Sequence, residues 1–199
     1  MPHLRQLMGE SVTFNRHYTV TSPCGPSRAS LLTGLYAMNH RSIRNGTPLP
    51  QQHPTMASEL RKAGYEPMLF GYTDVSADPQ NRHPNDPDLK TYEGLAPGFS
   101  EIVRMRLDSN SSWIGYLKAK GYQLPQNYWD LFKPVAADGG QGPAISDPAL
   151  YSAADSDTAF LTDRTLEELS AREDQDWFSL LTYIRPHPPL VAPVPYNKI

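Results

Sequence analysis

Apolar residues along this chain come in short bursts separated by proline- and glycine-marked breaks, and the spacing inside each burst predicts an element. Leu4, Leu7 and Met8 share one face of a short helix over Pro2 to Met8. From Ser11 to Tyr18 the mixture of Val12, Phe14 and Tyr18 with Thr and His is β-like. A helix follows from about Pro26 to Leu35, with Leu31, Leu32 and Leu35 as its buried stripe. Pro26 suits the first turn, where a missing N–H costs nothing, and this start puts Cys24 at the N-cap. Thr55 caps a helix running to Lys62, with Met56, Leu60 and Ala63 on one face and Gly64 as its stop. Pro67 to Tyr72 then reads as a buried strand. Helix, glycine and strand in succession form the unit of a doubly wound sheet.

The second half continues in the same manner. Ala77 to Pro97 is polar and proline-rich, a long surface loop. Ser112 to Lys120 predicts a short helix ending at Gly121. Pro125 to Pro148 is irregular, holds Trp129, Phe132 and a Gly139-Gly140 turn, and reads as an insertion over the core. Asp155 to Arg172 is the strongest helix, with Phe160, Leu161, Thr165, Leu166 and Leu169 inward; the adjacent acids Glu167 and Glu168 fall on its solvated side. Trp177 to Ile184 predicts a strand that runs into Arg185-Pro186-His187-Pro188-Pro189. Sites in open α/β sheets lie beyond the carboxyl ends of strands. Tyr72 and His187 each follow a predicted strand, so both can converge on the Cys24 helix.

Composition narrows the class. The chain has 199 residues, 39% hydrophobic and 20% charged, with net charge −3, which bounds it to one globular unit. It lacks the basic surplus that would point to nucleic acid or an anionic membrane. One cysteine rules out a disulfide framework. No apolar run is long enough to span a membrane and no signal-peptide core opens the chain, so a cytoplasmic location is expected. The 20 prolines imply many marked turns.

The chemistry concentrates in Cys24-Gly25-Pro26-Ser27-Arg28-Ala29-Ser30-Leu31-Leu32-Thr33-Gly34. A cysteine at a helix N-terminus faces free N–H groups and the positive end of the dipole, a setting for an anionic ester. Arg28, one turn on, offers a planar fork suited to tetrahedral oxyanions. A lone cysteine is otherwise a small buried hydrophobe. A tyrosine-phosphatase loop is excluded, because its arginine position holds Ser30, and the local signature of papain-type proteases is absent.

This stretch resembles the signature of the sulfatase family, C-x-P-S-R followed by L-T-G, at every fixed position. The resemblance extends through Gly34 to Arg41, Asn45, Gly71-Tyr72-Thr73 and the Arg185 to Pro189 turn, and is closest to the phosphonate monoester hydrolase and arylsulfatase branch. It implies an α/β fold, a partial alkaline-phosphatase-like three-layer sandwich with a mostly parallel sheet between helices. It also implies that Cys24 is oxidised by a formylglycine-generating enzyme to formylglycine, the nucleophile and metal-facing group. Arg28 would hold its hydrated form, Asn45 and Tyr72 would contact substrate, and His187 would bind the transferred group or its leaving oxygen. The implied substrate is a small sulfate, phosphonate or phosphate monoester, and the implied cofactor a divalent cation, Ca, Mn or Mg. Asn45 before Gly46 also suits a plain turn, Tyr72 a core position, and His187 a rigid-turn filler.

Two departures from the family pattern shape the expectation. The G-K-W-H run of typical arylsulfatases is missing after Tyr72. Asp74 stands where the phosphonate enzymes have a hydroxyl, and would either repel a dianion or contact a leaving group. The family's acidic metal ligands would fall before Met1 and after Ile199, so residues 1–199 read as an incomplete catalytic domain lacking its first strand and C-terminal part. By itself such a chain is expected to be inactive. The rival reading is a non-catalytic fragment or a binding module that keeps the sulfatase surface.

Overall fold

The computed structural model describes residues 2–136 and 144–198. Its elements in order are α1 (Pro2–Gly9), α2 (Cys24–Thr33), α3 (Ala37–His40), α4 (Met56–Lys62), β1 (Pro67–Gly71), β2 (Ser100–Arg104), α5 (Ser111–Ala119), α6 (Asp157–Ser170) and β3 (Phe178–Leu181). Short 3-10 turns punctuate the connections. The three strands form one parallel sheet in the order β2-β1-β3.

β1 is central and buried at all of its positions, which is why it reads as an unbroken apolar run. Its side chains alternate between two cores. Met68 and Phe70 join Trp113 and Leu117 of α5, Phe160 and Leu161 of α6, and Leu131 and Phe132. Leu69 faces the other way, with Ala29 and Leu32 of α2, Ala57 of α4, Val75 and Phe99. Helices thus cover both faces of a parallel sheet, as expected from the helix–glycine–strand succession. Trp113 packs edge-on to Tyr151 at 5.0 Å and donates its indole N–H to the Asp155 carbonyl at 2.9 Å.

Several expectations need correction. Ser11 to Tyr18 forms no strand, and Val12, Phe14 and Tyr18 are exposed. The α1 helix exists, but Leu4, Leu7 and Met8 all face outward. Cys24 is the first residue of α2 and not its N-cap, because the Pro23 carbonyl already accepts the Ser27 N–H at 3.1 Å. On α2 the inner face is Ala29, Ser30 and Leu32, while Leu31 is 63% exposed. Ala57, not Ala63, is the buried alanine of α4; Thr55 closes a capping box there with Ser58. Leu166 of α6 is also exposed. The end of the Ala77–Pro97 loop is not surface, since Glu93 and Ala96 are buried. Leu131 and Phe132 belong to the core instead of lying over it; the Gly139-Gly140 turn lies outside the described residues.

β2 has no counterpart among the sequence expectations. Its Ser-Glu-Ile-Val-Arg run is mostly polar, as suits an edge strand. A bulge in its pairing with β1 passes over Ile102, which is exposed.

Candidate active site

Parallel pairing fixes the location of the site. β1 and β3 run the same way and pair Phe70 with Leu181, so the segments after them, Tyr72 to Asp74 and Thr182 to His187, leave from one edge. Gly71 makes their close approach possible. Its φ is +113°, and a Cβ there would lie 2.1 Å from the Thr182 carbonyl oxygen. The Thr182 side chain then clamps the two strand ends: its Oγ1 accepts the Tyr72 N–H at 2.8 Å and donates to the Tyr72 carbonyl at 2.7 Å.

The start of α2 meets this edge. Asn45 binds it with both ends of its amide, Oδ1 accepting the Gly25 N–H at 2.9 Å and Nδ2 donating to Cys24 Sγ at 3.0 Å. A Cβ on Gly25 would sit 3.1 Å from Asn45 Oδ1 and 3.5 Å from the Asp74 carbonyl, so only glycine leaves this contact unforced. The Asn45 loop is itself anchored by His40, which is fully buried. His40 Nδ1 accepts the Ser42 N–H at 3.0 Å, Nε2 meets Ser30 Oγ of α2 at 3.0 Å, and Ser42 Oγ donates to the Thr47 carbonyl. Of the N–H groups at the helix start, Gly25 is bonded to Asn45, Pro26 has none, and Ser27 is bonded to Pro23. The Gly25 N–H is thus already taken by Asn45, and the dipole of α2 remains for an anion.

Arg28 and Tyr72 form a pair. The guanidinium lies 4.1 Å over the Tyr72 ring and its Nη1 donates to the Tyr72 carbonyl at 3.3 Å. Tyr72 itself is buried among the core aromatics, and burial pushes its phenol up. Among the described residues Arg28 makes no other hydrogen bond, so much of its fork stays open.

Asp74 completes the cluster. It is 4% exposed, its φ is +53°, and its Oδ2 is buried without a hydrogen-bond partner. The carboxyl lies beside the Cys24 thiol, short of a full hydrogen bond in geometry. Burial first, then Asp74, raises the Cys24 pKa, while Asn45 opposes them. Burial likewise raises the Asp74 carboxyl against the pull of Cys24, Arg28 and His187. His187 is exposed on the turn after β3, with Nδ1 2.6 Å from the Pro188 carbonyl, which leaves Nε2 as the free ring nitrogen. Cys24, Arg28, Asn45, Tyr72 and His187 therefore gather at one edge of the sheet, joined by Asp74. Thr182 and His40 carried no sequence signal beyond residue type; Asp74 stood out as an acid where the phosphonate enzymes have a hydroxyl, but its burial beside Cys24 did not show.

A family model described as Sulfatase matches residues 1–199. The chain belongs to the sulfatase family. Within it, the chain is 38% identical over 198 residues to the multifunctional alkaline phosphatase superfamily protein PehA of Trinickia caryophylli, covering 100% of this chain and 38% of PehA. It is 26% identical over 196 residues to a choline-sulfatase of Rhizobium meliloti, covering 96% and 34%. Among solved structures, the phosphonate monoester hydrolase SpPMH from Silicibacter pomeroyi superposes with a TM-score of 0.94 at 57% identity, covering 98% of this chain and 38% of SpPMH. The phosphonate monoester hydrolase of Agrobacterium radiobacter gives 0.87 at 40% identity, with the same coverage, 98% and 38%. The fold is thus the expected partial alkaline-phosphatase-like α/β sandwich. This sulfatase-family chain spans under two-fifths of the length of these relatives.

A divalent cation does not find its ligands here. Among the described residues no three His, Cys, Asp or Glu side chains are grouped to hold a metal ion, whereas a hard cation takes about six oxygens. Cys24 and Asp74 alone do not fit such a site. No helix of the described residues is long and apolar enough to cross a membrane.

Proposed function

We propose that this chain carries the nucleophile-bearing part of a hydrolase for sulfate, phosphonate or phosphate monoesters, within a single catalytic domain, with Cys24 matured to formylglycine. The setting of Cys24 carries the reading. A donor, Asn45 Nδ2, is already on Sγ, and a buried carboxyl with an unpartnered oxygen lies beside it. A thiol has one proton to give. A hydrated aldehyde at the same carbon has two hydroxyls, one to accept from Asn45 and one to donate to Asp74. The residues present fit that group, which would supply an oxygen nucleophile in place of sulfur.

The chain's own side chains then divide the work. Asn45 fixes the oxygen at position 24 through its N–H, and Gly25 holds the Asn45 amide in that orientation. Asp74 takes the proton from the hydroxyl it faces; a carboxyl held above its ordinary pKa is a stronger base once ionised. Arg28 presents its open fork to the ester's non-bridging oxygens, with Tyr72 backing the guanidinium. His187, with Nδ1 tied to a carbonyl, presents Nε2, which in the protonated ring donates to the leaving oxygen. Relatives named choline-sulfatase and phosphonate monoester hydrolase support an ester of sulfur or phosphorus.

The test is co-expression with a formylglycine-generating enzyme, followed by peptide mass spectrometry of position 24 and turnover of an aryl sulfate and a phosphonate monoester by the full-length enzyme that contains this chain. The expected result is an aldehyde at Cys24 and turnover abolished by Cys24→Ala. An unmodified thiol, or turnover retained in Cys24→Ala, would overturn the assignment.

A further inference from the structure

The turn that delivers Asn45 to Cys24 is closed by few contacts, and they meet at one ring. α3 ends at Arg41, whose φ of +62° is left-handed although the residue carries a side chain. Such a conformation is costly for a residue with a Cβ and persists only where its surroundings impose it. Here it reverses the chain, so that the Ser42 N–H points back at the His40 ring, 3.0 Å from Nδ1. Beyond it, Ser42 Oγ donates to the Thr47 carbonyl at 2.9 Å, and the Thr47 N–H to the Arg44 carbonyl at 3.0 Å. Asn45 stands at the tip of this closed turn, with one end of its amide on Gly25 and the other on Cys24.

These bonds settle the tautomer of His40. Nδ1 accepts a backbone N–H and so carries no proton. The proton of the neutral ring is then on Nε2, 3.0 Å from Ser30 Oγ of α2. The ring thus ties the turn to the helix that begins at Cys24, and it can do so only while neutral. A second proton would have to go on Nδ1, where it would face the Ser42 N–H, donor against donor. The ring is fully buried, so it cannot take that proton in water unless the turn opens. Ser30 faces it from α2, Ser42 from the turn, and the charge that bears on it comes from His53, in the segment before α4. Among the described residues no carboxylate hydrogen-bonds to the ring. Burial first, and His53 second, hold its pKa below the ordinary histidine value.

We propose that His40 is a positioning residue that acts as an acid-sensitive lock: the neutral ring holds the Ser42–Thr47 turn, and through it Asn45, against residue 24, and protonation of the ring releases them. The lock stands on the turn and the ring alone; its effect on turnover rests on the hydrolase reading above. Proton linkage sets both the sign and the size. The closed turn excludes the second proton, while in the open turn the ring takes it with an ordinary pKa of about 6.5. Opening is therefore independent of pH well above about 6.5, and below it becomes up to about tenfold more frequent for each unit of acidification.

The test is deuterium uptake by the full-length enzyme that contains this chain, resolved by residue, corrected for intrinsic exchange and stepped from about pH 7.5 to about pH 5. The amides of Gly25 and Ser42 should lose protection by up to about tenfold per unit below about pH 6.5, while the amides of β1 keep theirs. His40→Asn leaves an acceptor near the place of Nδ1 and cannot take the proton, so it should hold both amides and abolish the slope. His40→Leu removes the acceptor and should leave both amides unprotected at every pH. With Asn45 no longer held on residue 24, that variant should also lower kcat/KM by about 10–100-fold. Protection that does not change with pH in the wild type, a slope that survives His40→Asn, or a loss spread equally over β1 would overturn the lock. Loss confined to Gly25 and the turn, with ester turnover indifferent to His40→Leu, would leave the lock standing and sink the part given to Asn45 in the hydrolase reading.

Discussion

Gly71→Ala should cost this protein a large part of its stability, and the structure sets the size. The new Cβ would start 2.1 Å from the Thr182 carbonyl oxygen and 2.4 Å from its Oγ1, against backbone that cannot swing aside. Relief requires the ends of β1 and β3 to part. That breaks or stretches the Thr182 N–H to Phe70 carbonyl bond at 2.8 Å and both Thr182 Oγ1 bonds to Tyr72. Such bonds contribute about 1 kcal/mol each. Holding alanine at a φ of +113° adds about 1–3 kcal/mol. The lower entropy of the unfolded alanine chain returns roughly 0.4–1 kcal/mol. The net is a loss of about 3–5 kcal/mol, against a total of about 5–15 kcal/mol for a typical domain. Urea unfolding followed by circular dichroism should show it as a midpoint lowered by more than about 1 M. Thr182→Val leaves Gly71 untouched and removes only the hydroxyl's bonds, so it should cost less, about 1–3 kcal/mol. If Gly71→Ala unfolds within about 1 kcal/mol of wild type, the strand ends are not held as described.

Other expectations follow from the titratable groups. Burial and the neighbouring Asp108 push Glu93 up to about 7 from its ordinary 4.5. The folded state therefore binds a proton that the unfolded chain releases above about pH 4.5, and stability falls as pH rises from there through about 7, by as much as about 3 kcal/mol; Glu93→Gln should flatten that slope in urea melts at stepped pH, and an unchanged slope would clear Glu93. Asp74→Asn removes a carboxyl that raises the Cys24 pKa, so iodoacetamide should alkylate the unmodified thiol with a midpoint shifted to lower pH; an unshifted midpoint would mean that the two groups do not interact. Arg28→Lys keeps the charge but loses the planar stack on Tyr72, and should lower kcat/KM of the full enzyme by about 10–100-fold. Equal activity in the lysine variant would refute a role for the fork.

What the sequence revealed depended on whether local pattern or distant contact decided the outcome. β1 was legible because burial on both faces demands an unbroken apolar run, and α4 because Thr55 and Gly64 mark its ends. β2 was not, since an edge strand of mostly polar residues, with Ile102 and Arg104 exposed, looks like loop. Ser11 to Tyr18 misled in the other direction: its apolar residues suggest a strand, yet they find no partner strand among the described residues. At the site, the cysteine motif gave α2 and Arg28, and placement after strands brought Tyr72 and His187 to one edge. The state of Asp74 was beyond pattern reading, because its burial and its unpartnered oxygen arise where α2, the Asn45 loop and the end of β1 meet. The occupied N–H of Gly25 was hidden likewise, because Asn45 reaches it from twenty positions away.

The clamp at Thr182 also governs how the cleft breathes. Its two bonds extend the hydrogen-bonded ladder of the central strand past Gly71, so the wall bearing Tyr72 and Asp74 opens only when the sheet itself comes apart. The opposite wall hangs on side chains: the Asn45 amide, the His40 ring and the Ser42 hydroxyl. Amide protons of β1 should therefore exchange with solvent by global unfolding, and those around Ser42 to Thr47 by small local openings. One rigid jaw and one compliant jaw give the cleft a direction of entry. Widening of the cleft around Cys24 moves the Asn45 side first, while Asp74 and Arg28 keep their places.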